Sequence, residues 1–218
     1  MIPAAGFILV DKPAGVTSFD VVNRVRGSLV EAFPELAPPR RRGRGPKPPR
    51  FKCGHAGTLD PLATGLLVVL VGKGSRLSPV LLGLDKTYLA TVRFGSATDS
   101  LDADGEVTAT APPPESPDVI AHALPRFRGA IDQVPPLISA LKRDGQALHK
   151  RVRAGEEVAE PEARPVTIHR LELTAARWEG DAPEVDLTVA CSSGTYIRSL
   201  ARDLAETAGS VGHIAALR

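Results

Sequence analysis

Cysteine and aromatic residues are scarce in this chain, with two Cys, two Tyr and one Trp among 218 residues. The cysteines, Cys53 and Cys191, are too few for a disulfide scaffold and lack the paired spacing of a zinc site, so reduced thiols and no metal are expected. Long apolar runs are also missing. The N-terminal run is broken by Asp11 and has no basic flank, and Leu66 to Val71 is far too short to cross a bilayer, so no leader, no membrane span and a cytoplasmic location are expected. A large excess of positive charge is absent too. The net charge is only +2, so a nucleic-acid footprint has to come from clustering.

What is present is ordinary for a globular protein, 43% hydrophobic and 24% charged, with length for one large domain or two small ones. Charge does cluster. Between Ala37 and Arg50 stand Arg40, Arg41, Arg42, Arg44, Lys47 and Arg50 with no acidic residue, interleaved with five prolines and two glycines. Such a composition cannot build a packed element and reads as a basic insertion suited to phosphate contact.

Periodicity predicts the elements. Gly6 to Val10 reads as a buried strand. Thr17 or Ser18 then caps a helix with Val21, Val22, Val25 and Leu29 on one face, leaving Arg24 and Arg26 for solvent or RNA. Leu66 to Val71 suits a central strand covered on both sides. Lys86 to Gly95 alternates, with Tyr88, Ala90, Val92 and Phe94 on one face. A short strand follows Gly105, and Ser116-Pro117 opens a helix to about Arg126. Gln146 to Ala154 reads as a basic helix, Val166 to Ala176 and Pro183 to Ala190 as a hairpin, and about Thr195 to Ala208 as the last helix. The class is α+β, built on a mixed, largely antiparallel sheet flanked by helices.

The most informative stretch is Gly54-His55-Ala56-Gly57-Thr58-Leu59-Asp60-Pro61-Leu62-Ala63-Thr64-Gly65, which sets one carboxylate in a glycine-rich loop before an apolar strand. Glycine permits tight turns and close approach of the backbone, and Pro61 biases Asp60 away from helix. Aspartate before proline most often only caps a turn. The window, however, resembles the GHxGxLDPxATG-like signature of the TruB-type tRNA pseudouridine synthases, and further motifs occur in that family's order. Gly6 to Ser18 is similar to its opening strand and DKPxGxTS turn, Lys86-Thr87-Tyr88 to its KxY segment, and Thr98 to Gly105 to its TDTxDxxG element. Val134-Pro135-Pro136 through Lys142 is similar to PPxxSALK, and Ser193 to Leu200 to SxGTYIRSL.

The resemblance implies a pseudouridine synthase core over residues 1–218, with an RNA-binding segment at about 133–164. It implies an isomerase that acts on the T-arm uridine of tRNA, position 55, as a monomer without cofactor, metal, membrane or guide RNA. It makes Asp60 the nucleophile, Tyr88 the residue that packs on the base and accepts the C5 proton, and Arg198 the cation that keeps the nucleophile ionised. A carboxylate in an apolar pocket tends to protonate without such a partner, and arginine stays charged. Attack at C1′, attack on the base and a glycal-like intermediate all remain open. RNA contacts fall to His55, Lys12, Lys142, Arg151 and Arg153, and the uridine has to leave its stack.

The chain also departs from the family. Its 37–50 insertion is longer than usual, Ile138 and His149 stand where aromatics are common, and the usual extension beyond the GHxxxLR-like element, Gly212 to Arg218, is absent. Other chemistries fail on spacing. Gly72-Lys73-Gly74-Ser75 lacks the order of a P-loop, and the Asp102 to Gly105 stretch lacks the ligand pattern of a calcium loop. A glycosidase would need a second carboxylate opposite Asp60, for which only Asp99 or Asp102 could be named. The rival of another class is a noncatalytic RNA-binding or RNA-folding protein, and the joint presence of Asp60, Tyr88 and Arg198 argues against it.

Overall fold

The computed structural model describes residues 5–37, 51–139, 142–143, 146–147, 156, 158–180 and 182–218. Its contacts divide the chain into two compact units, Met1–Leu84 and Asp85–Arg218.

The first unit is a three-stranded antiparallel sheet with a helix on one face. Strand β1 (Ala5–Lys12) leads to helix α1 (Ser18–Ala32), and β2 (Cys53–His55) leads to β3 (Gly65–Gly72). A 3-10 turn and the short α2 (Ser78–Leu82) follow. The sheet order is β1-β3-β2, so β3 is central as its composition predicted. Thr17 caps α1 in a full capping box, its hydroxyl accepting from the Asp20 amide while the Asp20 carboxylate accepts from Thr17 N–H.

Val21 and Val22 pack with Leu67 and Val69, joined by Ile8, Val10, Val25 and Leu59. The opposite sheet face bears out coverage on both sides in the second half of β3, where Val69, Leu70 and Val71 are all buried, and corrects the expectation for β1 and the start of β3. Phe7 is 50%, Leu9 69% and Leu66 66% exposed, because α1 covers one face only and these side chains alternate to the other. Arg24 is exposed, but Arg26 is not left for solvent, since its guanidinium donates to Asn23 Oδ1 and to the Cys53 carbonyl.

In the second unit β4 (Lys86–Phe94) is followed by the small pair β5 (Ser96–Thr98) and β6 (Val107–Thr110). Helix α3 (Pro117–Ala123) precedes β7 (Gly129–Gln133), and β8 (Lys142–Arg143) pairs with β9 (Gln146–Ala147). The long hairpin β10 (Arg164–Arg177) and β11 (Glu184–Cys191), helix α4 (Ile197–Thr207) and β12 (Gly212–Leu217) complete it. The main sheet has the order β12-β4-β11-β10-β7. All its neighbours are antiparallel, and the one parallel element among the described residues is an isolated bridge between Asp102 and Ile214.

Helix α4 lies against β12 and β4. Its buried Ile197, Leu200, Ala201, Leu204 and Ala205 recur at helical spacing and meet a core of Ala90, Val92, Phe94, Leu187 and Ile214. Two expectations need correction. Gln146 and Ala147 form a strand rather than opening a helix, the rest of that predicted helix lying outside the described residues except for this start. The helix after Ser116 stops at Ala123 and tightens into a 3-10 turn through Phe127, as expected beside Pro125, whose ring blocks the α-helical bond to the preceding turn. Both cysteines are free, and burial pushes their thiols above the ordinary value.

The polar face of the main sheet carries an ion-pair ladder. Arg177 makes two bonds to Asp186, at 2.7 and 2.8 Å, and reaches Glu184, which Arg93 also holds. Arg177 holds the Asp186 carboxyl below the usual carboxylate range, outweighing the upward push of partial burial, and Thr91 adds to the lowering. A depressed carboxyl stabilises the fold above its unfolded value near pH 4 and loses that contribution as pH falls through the folded value. Asp186→Asn is therefore expected to cost about 0.5–1 kcal/mol at pH 7, after allowance for solvent screening, and nothing once the parent carboxyl is protonated. Urea unfolding of both proteins from pH 7 to pH 2 checks this. A gap that does not close at low pH would assign the loss to packing instead.

Candidate functional site

Asp60 lies in the first unit, in the loop that joins β2 to β3. Gly57 and Gly65 bracket its turns with φ of +137° and +107°, values that a side chain would oppose. The loop is fastened from below. Ser18, 2% exposed at the start of α1, accepts from the Leu59 amide at 2.9 Å and donates to the Leu59 carbonyl at 3.1 Å. One residue past Asp60, the Pro61 carbonyl accepts from the Gly15 amide at 2.9 Å and from Lys12 Nζ at 3.1 Å. The backbone on both sides of Asp60 is thus pinned to the turn between β1 and α1, and the carboxylate itself sits at partial exposure.

Lys12, expected at the RNA, is built into the fold itself. It is 0% exposed, and its ammonium also donates to the carbonyls of Pro13 and Val16. A charge buried among backbone carbonyls offers no surface to a phosphate, and here it stitches the turn to the Asp60 loop. Lys12→Met keeps the stem but removes the donor to the Pro13 and Val16 carbonyls, while Pro61 keeps the Gly15 amide, so a loss of about 1–3 kcal/mol is expected. Thermal unfolding should register it, while tRNA affinity at fixed salt stays within about twofold. Unchanged stability with weakened, less salt-sensitive binding would return Lys12 to RNA contact. His55 ends β2 opposite Val69, half-buried, its Nδ1 without a hydrogen bond among the described residues.

The second unit holds Tyr88 and Arg198. Tyr88 is half-buried on β4, paired with Val189 and on the same face as Ala90, Val92 and Phe94. Arg198, in the first turn of α4, is 6% exposed rather than a solvated helix residue. Its Nη1 donates to the Ser100 carbonyl at 2.6 Å and its Nη2 to the Ile138 carbonyl at 3.1 Å. Asp102, itself 4% exposed, brings a carboxylate oxygen to 3.6 Å from the guanidinium. A cation in the first turn opposes the helix dipole, and the buried carboxylate offsets that cost.

Reasoning from the sequence missed Asp102 as this partner. Its placement depends on a tight turn in which Leu101 takes φ of +61°, the one positive φ outside glycine among the described residues. Ser100 Oγ and the Asp104 amide hold the other carboxylate oxygen, and Thr98 Oγ1 fixes the Asp102 carbonyl. The signal in the sequence was the three aspartates of Thr98 to Gly105, Asp99, Asp102 and Asp104, legible only as a motif. Of the remaining expected RNA contacts, Lys142 has its backbone in β8, while Arg151, Arg153 and residues 38–50 of the 37–50 insertion lie outside the described residues.

Residues 44–197 match the TruB family pseudouridylate synthase (N terminal domain). The chain belongs to the TruB family. Among curated relatives, the tRNA pseudouridine synthase B of Corynebacterium aurimucosum is 47% identical over 98% of this chain and 66% of its own length. That of Thermobifida fusca is also 47% identical, over 99% of this chain and 68% of its own. The chain spans about two thirds of the length of the curated relatives it matches. Among solved structures, one chain of a Cbf5-Nop10-Gar1 complex aligns with TM-score 0.63 and 29% identity, over 98% of this chain and 47% of that one. The TruB match takes in the Asp60 loop and Tyr88 and stops one residue before Arg198.

Proposed function

We propose that this chain isomerises uridine to pseudouridine at position 55 in the T arm of tRNA. The observation that carries the reading is the Asp60 loop: the family's signature aspartate, present in a backbone that Ser18 and Lys12 pin on both sides. The names of the relatives, at 42–47% identity across this chain, support the substrate.

The reaction breaks the bond between ribose C1′ and N1 of uracil, turns the retained base and rejoins it through C5. The C5 proton leaves and N1 gains one, so atoms balance without cofactor or energy source. Asp60 serves as the nucleophile at the flipped-out nucleoside, Tyr88 packs against the base and takes the C5 proton, and Arg198 supplies the permanent cation. His55 and the basic residues Lys142, Arg151 and Arg153 contact the RNA. The protein works in the cytoplasm as a monomer, without a guide RNA, and residues 1–218 act as one catalytic domain.

Pseudouridine mapping in cells lacking this protein tests the substrate. Loss at tRNA position 55, with ribosomal RNA unchanged, is the expected result. Loss confined to ribosomal sites would contradict it.

A further inference from the structure

The geometry points to Gln133 as a positioning residue that sets Arg198 by capping the start of α4 from a distant strand. The inference deepens the proposed reaction and rests on it only for its kinetic readout.

A helix leaves its first amides without internal partners, and a Ser, Thr, Asp or Asn at the N-cap normally supplies an acceptor. Helix α4 has Tyr196 at that place, and no side-chain cap bond is made there. Gln133, the last residue of β7 and 1% exposed, instead holds the N-cap residue itself. Its Oε1 accepts from Tyr196 N–H at 2.8 Å, and its Nε2 donates to the Tyr196 carbonyl at 3.1 Å. The same carbonyl accepts the first helical bond, from Leu200 N–H at 3.1 Å. One carboxamide therefore fixes both polar groups of the residue from which the helix starts.

Arg198 follows two residues later, and long side chains in a helix lean back over the preceding turn. The direction of its guanidinium thus depends on how that first turn is held. Segment 133–138 makes a continuous seam with the helix: the Val134 carbonyl accepts from Ser199 Oγ at 2.8 Å and from Arg202 Nη2 at 3.2 Å, and the Ile138 carbonyl accepts from Arg198 itself. Gln133 closes the end of this seam that lies before Arg198. A leucine of similar size would fill the space and satisfy neither Tyr196 group, freeing the first turn to fray and the guanidinium to wander from Ser100 and Asp102.

Single-turnover tritium release at saturating tRNA, in a cycle of Gln133→Leu, Arg198→Lys and the double variant, tests the inference. Gln133→Leu is expected to slow the step at least tenfold, with tRNA affinity within twofold, and to add no further loss in the Arg198→Lys background. An equal loss in both backgrounds, or none in the parent, would overturn it. An arm independent of catalysis is the arginine side-chain NMR spectrum of the free protein, with Arg198 assigned by its disappearance in Arg198→Lys. The parent should show hindered rotation of that guanidinium and Gln133→Leu should not, whereas unchanged rotation contradicts the inference. If the parent releases no tritium, the proposed reaction fails and the NMR arm still decides the role of Gln133. Should Gln133→Leu not fold, Gln133→Asn is one methylene too short to reach both Tyr196 groups and is read in the same way.

Discussion

Asp60→Asn is expected to lower tritium release from C5-labelled tRNA by on the order of 10⁴-fold or more, the scale seen when a nucleophile is removed. The fold should be untouched. The loop is held by the Leu59 and Pro61 backbone through Ser18, Gly15 and Lys12, and those bonds do not involve the Asp60 side chain. Asparagine keeps the shape and deletes the anion, so tRNA affinity and unfolding temperature should match the parent. Appreciable turnover in this variant would remove the nucleophile from the account. A variant that also unfolds would show that the carboxylate has a structural part.

Arg198→Lys is expected to cost about 10²- to 10³-fold in the single-turnover rate, the range for losing a preorganised charged donor. The guanidinium reaches Ser100, Ile138 and Asp102 at once from a fixed fork, and an ammonium on a shorter stem cannot reproduce that geometry. Arg198→Met goes further. It leaves the buried Asp102 carboxylate without its cation, a change that costs about 3–5 kcal/mol. The two variants should therefore differ sharply in unfolding temperature and little in residual activity. Parent-like turnover in Arg198→Lys would reduce Arg198 to a structural partner of Asp102.

Much of this was legible because local rules decided it. Thr17 or Ser18 before the apolar helical face announces an N-cap, the alternation from Tyr88 to Phe94 announces a half-buried strand, and the turn residues between β10 and β11 announce a hairpin. The Asp60 loop was legible as a motif and as a constrained backbone. What escaped was set by partners far along the chain. An apolar run such as Phe7 to Val10 does not say which face will be covered, and half of it stays exposed. Lys12 looks like any lysine beside a proline until the Pro61 carbonyl arrives to bury it. The resemblance assigned Arg198 to Asp60, whereas the Asp102 carboxylate beside its guanidinium depends on the turn at Leu101 and could not be read from the sequence. Gln133 carried no signal at all, since its cap belongs to a helix that begins 64 residues later.

Conversion of one tRNA uridine to pseudouridine by this chain is read out by tritium release from an unmodified tRNA transcript carrying C5-tritiated uridine. Release approaching one equivalent per tRNA is expected. Replacing the uridine at position 55 by cytidine should abolish it, and replacing any other uridine outside the T arm should leave it intact. No release from the parent transcript, or release that persists without that uridine, would show that the chain does not carry out this reaction.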